Sequence, residues 1–454
     1  MKIINPATEE LIKEITEDSA LTVQSKYELA RSAQSAWGKV SLEERIACIK
    51  RFHDLIEKNQ ESLAHDLCAE VGKPIQEAMN ELNGARTRIR FFIENSAQWL
   101  KTAPIRVDGT TAESISFDAL GVIGNISAWN YPYLVGVNVF IPALIAGNAV
   151  LYKPSEFATI TGINIEKLLH EAGIPKTVFT AIVGDYKSGE AMLDLPLDGY
   201  FFTGSYKTGK HIAERVASKL VPVGLELGGK DPLYVTDEVK DLKQVANAVA
   251  EGCFYNNGQS CCAVERVYVH QNVYDQFISL FEKEVAALKV GNPMDRSNQQ
   301  GSLTRPSHVA FIESQIKDAL DQGATLLVGG KKIEGKGAFF SPTVLTNVNH
   351  QMKVMKEESF GPIIGVMKVK DDTEAMNLMN DCEYGLTASV YTSNQERGKT
   401  ILAQVNSGTS YLNCCDRVSP YLPWAGRKNS GLGSTLSYLG ILAFAKPRGW
   451  HIRG

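Results

Sequence analysis

The chain has 454 residues, 44% hydrophobic and 22% charged, with a formal net charge of −4. At roughly 150 residues per domain this length predicts two or three domains, and with no basic surplus to drive counterion release, a nucleic-acid partner is excluded. No apolar run reaches the roughly 18 residues of a membrane span, and the opening residues lack a signal-peptide core, so the expected location is cytoplasmic.

After Pro6 the first hundred residues read as helices. Ser41-Leu42-Glu43-Glu44 has the form of a capping box, followed by Ile46, Ile49, Phe52, Leu55 and Ile56 at helical spacing. Pro74 suits the first position of a long amphipathic helix that carries Ile89, Phe92, Ile93 and Trp99. The period then changes. Ser114 to Phe117 and Gly121 to Ile126 read as extended. Strand-like Ala149 to Lys153, Val178 to Val183 and Tyr200 to Phe202 then alternate with helix-like Ile160 to Ala172 and Ser188 to Leu193. A second series takes in strand-like Leu233 to Val235, Arg266 to His270 and Ile363 to Val369, and helix-like Val273 to Leu288 and His308 to Gln322. Such alternation predicts an α/β chain of two doubly wound domains with parallel sheets. The tail ending Arg448 to Gly454 is apolar enough to need a partner surface.

Eight cysteines stand at 48, 68, 253, 261, 262, 382, 414 and 415 without a CxxC spacing, and the eight histidines form no HExxH or Cys/His cluster. No metal site is expected. Cys261 is different in its surroundings. It follows Gly258-Gln259-Ser260 and precedes a strand-like run from Val264, so its thiol sits on a loop where it can attack an electrophile. Cys262 is the rival nucleophile, since alternation in a strand sends one thiol to a cleft and the other to a core. Glu226, before Leu227-Gly228-Gly229-Lys230, is a carboxylate at the end of an apolar run. It is either paired or poised as a base with a raised pKa.

Gly204-Ser205-Tyr206-Lys207-Thr208-Gly209 stands between a predicted strand and a predicted helix. It is either a phosphate-binding turn or an ordinary strand-to-helix connection. Lys153-Pro154-Ser155-Glu156 offers a cation and a carboxylate to ribose hydroxyls, or is a plain Lys-Pro turn. Asn130, in Trp129-Asn130-Tyr131-Pro132, either donates to an oxyanion or bonds its own turn.

Taken in order, six segments resemble motifs of the NAD(P)-dependent aldehyde dehydrogenase superfamily, of the non-acylating, hydrolytic type. They are Ile126 to Pro132, Lys153 to Glu156, Phe202 to Ser205, Glu226 to Lys230, Gly258 to Cys261 and Glu358-Ser359-Phe360-Gly361-Pro362. The resemblance implies a Rossmann-like NAD(P)-binding domain from residues 1–104 and 121–227 and a catalytic domain from 228–425. It also implies a small β oligomerisation arm and tail from 105–120 and 426–454, and a homodimer or homotetramer. It selects Cys261 as nucleophile, Glu226 as general base and Asn130 as oxyanion donor beside the Cys261 N–H. Trp129, Lys153, Ser155, Glu156, Gly204, Ser205, Gly209, Leu227, Gly228, Glu358 and Phe360 fall at cofactor contacts. The implied reaction oxidises a small-molecule aldehyde to a carboxylic acid through a thioester. Glu156 favours NAD over NADP because a carboxylate repels a 2′-phosphate and accepts from a 2′-hydroxyl.

By the same matching, Tyr131, Tyr133, Val135, Asn138, Cys415, Arg417 and Val418 line the substrate funnel. Arg417 either clamps the carboxylate of a semialdehyde or pairs with Asp416 at the surface. A semialdehyde-specific enzyme, such as a succinate-semialdehyde dehydrogenase, is one alternative reading, and a CoA-acylating dehydrogenase is another. Glu226 argues against the second. One departure stands out: the family's final Arg-Glu pair is replaced by Ser434-Thr435, at positions that the resemblance places near subunit contacts.

Overall fold

Strand–helix alternation from Val122 onward builds two parallel sheets, and a third, antiparallel sheet stands apart from both. The structure is a computed structural model that describes all residues 1–454. In the first sheet the strands run in the order Gly431–Leu432, Val223–Glu226, Gly199–Thr203, Val122–Ile126, Ala149–Lys153 and Phe179–Ala181. All pairs are parallel except the first, where Gly431 lies opposite Glu226. The second sheet has seven strands, with Val264–His270 between Asp231–Val235 and Ile363–Val369. Only its edge strand Thr325–Val328 is antiparallel.

Both faces of the seven-stranded sheet are buried, which the alternation along each strand makes possible. Leu233, Val235, Val267 and Val269 enter one apolar cluster, while Tyr234 and Tyr268 enter the other. The six-stranded sheet shares a larger core with the N-terminal helices Ala20–Lys39, Leu42–Lys58, Gln60–Val71 and Ile75–Leu100. The capping box at Ser41 forms by half: the Ser41 hydroxyl accepts from the Glu44 N–H, and Glu44 pairs with Arg51 rather than reaching back.

Two sheet-flanking helices lack side-chain caps of their own, and glutamates from the N-terminal helices supply the missing acceptors. Glu81 accepts from the Tyr133 N–H at 2.8 Å at the start of Pro132–Ile145. Glu70 accepts from the Ile160 and Thr161 N–H groups at 2.6 and 2.9 Å at the start of Thr159–Glu171. Each carboxylate meets the positive end of a helix. Glu81 is in turn held by the Lys73 ammonium, and both side chains are fully buried. The Lys73 ammonium also donates to the Asn130 carbonyl at 2.6 Å, which ties the helical layer to the end of the central strand.

The third sheet pairs Thr111–Ala119 with Ala103–Asp108 on one side and with the C-terminal strand Ala445–Arg453 on the other. No helix is long and apolar enough to cross a membrane.

Removing one partner of a buried pair strands the other, at about 3–5 kcal/mol. Lys73→Met is therefore expected to lower the unfolding free energy by about that amount in a urea titration. A loss below about 1 kcal/mol would contradict the account of Lys73 as the tie between layers.

Candidate active site

The carboxyl ends of four adjacent strands open onto one cleft of about 660 Å³. Along that edge stand Glu226, then Gly204 and Ser205, then Ser127 to Asn130, then Lys153 to Glu156, following the strand order of the sheet. Such an edge is where open α/β sheets bind ligands. Ser205 caps the helix Tyr206–Val216 by accepting from the Thr208 N–H, so a positive helix end faces the cleft. The opposite wall brings Arg305, Glu358 and Phe360. Phe360 meets the Trp129 ring edge-on at 5.4 Å, and the Arg305 guanidinium lies over the same ring at 5.9 Å. Glu358 accepts from the Gly229 N–H at 3.0 Å, and burial pushes its pKa up to about 8. The donor set suits a dinucleotide: a lysine and a carboxylate for ribose hydroxyls, a helix N-terminus for phosphates and an aromatic wall.

Ten of the eleven residues that the sequence suggested for cofactor contact line this cleft. Gly209 does not. It lies inside the helix Tyr206–Val216, where a Cβ would run into the Leu227 side chain, so its smallness serves helix–strand packing beneath the wall. The sequence reading missed Arg305, for which Arg305-Pro306 carries no pattern that marks a site.

Cys261 lines this cleft and also a second one, of about 440 Å³, so the thiol stands where the two meet. The loop that delivers it is unusual. Asn256, Asn257 and Gly258 all have positive φ (54°, 56° and 68°), and a Cβ at Gly258 would strike the Gly361 carbonyl. Buried hydrogen bonds hold this conformation. Glu77 accepts from the Asn256 N–H, and the Asn256 amide donates to the carbonyls of Asn130 and Gln259. Asn257 bridges Gly301 and Ser302, and Gln259 accepts from the Thr304 N–H. Cys262 is buried, and its thiol donates to Asp416 at 2.9 Å. Cys261, burial and Asp416 together hold the Cys262 proton in place.

Glu226 lines the cofactor-side cleft with Cys261 and Asn130. It has no cationic partner. One carboxylate oxygen accepts from the Thr435 hydroxyl at 3.2 Å, and the other is buried with no partner. Burial pushes the Glu226 pKa up to about 8, opposed only by the Thr435 hydrogen bond. The departure at Ser434-Thr435 thus bears on the carboxylate itself. Asn130 donates one amide N–H to the Gln259 carbonyl at 3.1 Å, which fixes its plane beside the thiol loop.

The second cleft is lined by Tyr131, Val135 and Asn138 from the helix start and by Cys415, Arg417 and Val418 from the loop after Thr409–Leu412. Tyr133 is not in it. Helical geometry turns its ring the other way, into the core, where it is fully buried. Arg417 does not pair with Asp416. It reaches Glu251 at 3.3 Å, largely exposed, while Asp416 turns inward to Cys262. A residue that the sequence reading passed over, Arg88, also lines this cleft.

The chain matches the model of the "Aldehyde dehydrogenase family" over residues 1–448. It is 33% identical over 446 residues to succinate-semialdehyde dehydrogenase [NADP(+)] of Deinococcus radiodurans, covering 98% of this chain and 93% of that protein. It is likewise 33% identical to betaine aldehyde dehydrogenase of Vibrio vulnificus, covering 95% and 89%. Among solved structures, the aldehyde dehydrogenase KauB from Pseudomonas aeruginosa superposes with a TM-score of 0.97 at 29% identity, covering 100% of this chain and 93% of that one. With the match unbroken from residue 1 to 448 and the backbone shared from end to end, the chain belongs to the aldehyde dehydrogenase family.

Proposed function

We propose that this protein oxidises an aldehyde to a carboxylic acid with NAD as electron acceptor, through a thioester on Cys261 that Glu226-activated water hydrolyses. The observation that carries the reading is the position of Cys261 on both clefts, with Glu226 and Asn130 on the cofactor side. An aldehyde entering from the funnel meets the thiolate, whose sulfur bonds to the carbonyl carbon. The charge that develops on oxygen is met by the Asn130 amide and the Cys261 N–H, and one such donor is worth about 10²–10³ in rate. A bound nicotinamide would supply the hydride acceptor that lets the adduct collapse to the Cys261 thioester. Glu226 then removes a proton from water, the hydroxide adds to the thioester, and the Cys261 thiolate leaves as the acid forms. Cys262 is unsuited to the first step because its proton is committed to Asp416.

The cofactor would be held by Lys153, Ser155 and Glu156 at the ribose, by Gly204 and Ser205 at the phosphates, and by Trp129, Leu227, Gly228, Glu358 and Phe360 around the nicotinamide half, all of which line one cleft. Glu156 favours NAD by repelling a 2′-phosphate. The Deinococcus relative is named for NADP, which makes the ratio of kcat/KM for the two cofactors a discriminating measurement. Residues 1–104 and 121–227 form the cofactor domain in this reading, and 228–425 the catalytic domain. The hairpin at 105–120 and the tail at 426–454 carry self-association in the cytoplasm. In support, the arm exposes Ile105, Val107, Trp450 and Ile452. A monomer in sedimentation would contradict it.

Cys261→Ala is expected to form no NADH from any aldehyde. Glu226→Gln should release one equivalent of NADH per site and then turn over at least ~10²-fold more slowly. An unchanged steady-state rate in Glu226→Gln would remove the base from the mechanism. Because the Glu226 pKa is raised to about 8, its basic form is lost as pH falls below that value. Where hydrolysis limits turnover, kcat should therefore climb about tenfold per pH unit up to roughly 8 and then level. The Thr435 hydroxyl stabilises the carboxylate form, so Thr435→Val should move that limb to higher pH and Thr435→Ser should restore it. A limb at the same pH in all three proteins would show that Thr435 does not tune the base.

A further inference from the structure

Arg88 is the one buried cation of the funnel without a carboxylate. It lies on the helix Ile75–Leu100, is 7% exposed and lines the same cleft as Cys261. One guanidinium nitrogen donates to the Leu134 carbonyl and to the Asn138 side-chain oxygen, both at 3.0 Å. No carboxylate lies within salt-bridge distance of it, whereas other charges around it are matched. Lys73 is paired with Glu81, and Arg417 with Glu251. Burial pushes the Glu77 pKa up to about 8, so that carboxyl is mostly neutral at pH 7. Burial also lowers the Arg88 pKa to about 10, which still leaves it charged. The remaining charged group on the cleft, Asp416, already accepts the Cys262 thiol, and burial raises its pKa too.

A buried charge is tolerated when something pairs with it. Arg88 presents further guanidinium N–H groups to a cleft that ends at the reactive thiol, and its two existing bonds fix the plane of the fork. A planar fork of this kind matches a carboxylate by two parallel hydrogen bonds. We propose that Arg88 is the specificity-determining residue of the funnel, and that the substrate class is an aldehyde bearing a carboxylate at the end remote from its carbonyl. This rests on the reaction proposed above. Asn138 orients the guanidinium, Tyr131 and Val135 line the apolar path, and the exposed Arg417–Glu251 pair leaves no net charge at the mouth.

The test compares kcat/KM for succinic and glutaric semialdehydes, the uncharged aldehydes of equal length, and 4-aminobutanal, in the wild-type enzyme and in Arg88→Gln and Arg88→Lys. The expected wild-type order is semialdehyde above alkanal above aminoaldehyde. In Arg88→Gln the ratio of semialdehyde to alkanal kcat/KM should fall about 10²-fold, mainly through KM, and Arg88→Lys should recover part of it. Succinate and glutarate should compete with aldehyde in the wild type but not in Arg88→Gln, a readout independent of turnover. An unchanged ratio would make Arg88 a structural brace for the Leu134 turn. Preference for 4-aminobutanal would make Asp416 the recognising group and overturn the proposal. Oxidation of alkanals without semialdehyde preference would sink this inference alone, whereas no NADH from any aldehyde would sink the proposed reaction beneath it.

Discussion

Asn256, Asn257 and Gly258 hold three successive left-handed backbone conformations just before the thiol, and the site depends on that loop staying in place. For non-glycine residues each such conformation costs about 1–3 kcal/mol and persists only where the surroundings over-determine it. Here they do: Glu77, the Asn130 carbonyl and the Ser302 carbonyl accept from this loop, and the Gly301 and Thr304 N–H groups donate to it, with partners from the helical layer, the first sheet and the loop that follows Gly291. The Lys73 ammonium, on the same Asn130 carbonyl that Asn256 reaches, joins that lattice to the cap of the next helix. A thiol delivered in this way stands at the junction of two clefts without belonging wholly to either sheet.

Electrostatics divides the site into regions with different tasks. Buried and half-buried carboxylates end up in different states according to their neighbours. Glu81 is paired with Lys73, whereas Glu226 meets a single hydroxyl and Glu358 a single backbone N–H on glycine. A carboxylate that is buried, lightly hydrogen-bonded and without a cation is suited to taking a proton near neutral pH. The second cleft inverts the pattern, with a guanidinium in place of the unpaired carboxylate. The two clefts that meet at Cys261 thus differ in their buried titratable group, a carboxyl without a cation in one and a guanidinium without a carboxylate in the other.

Much of the fold was legible because strands and helices alternate with clear periods from Val122 onward. Ile363–Val369 is found as the sequence suggests, and Val178 to Val183 shrinks to Phe179–Ala181. The short strands Thr387–Tyr391 and Thr409–Leu412 carry no clear sequence signal, because their runs are brief and interrupted by polar residues. Cofactor-cleft residues were legible where a motif sits at a strand end. Gly209 and Tyr133 misled for a common reason: adjacent residues on a helix face different ways, so proximity in a motif does not place a side chain in a cleft. At the sequence level Thr435 is only a departure near subunit contacts, yet the strand Gly431–Leu432 pairs beside Glu226 and carries it inward, a long-range contact that no local pattern encodes. For Arg88 a signal did exist. It shares a buried helix face with Glu81, Ala85 and Phe92, and an arginine on such a face calls for a partner.

In the proposed reaction Cys261, and not its neighbour, carries the acyl group that Glu226 releases. Mixing the Glu226→Gln protein with aldehyde and NAD, quenching in acid and mapping peptides by mass spectrometry tests it directly. One acyl adduct per chain, on Cys261 and dependent on NAD, is expected. An adduct on Cys262, or NADH formation with no thioester on either cysteine, would contradict it.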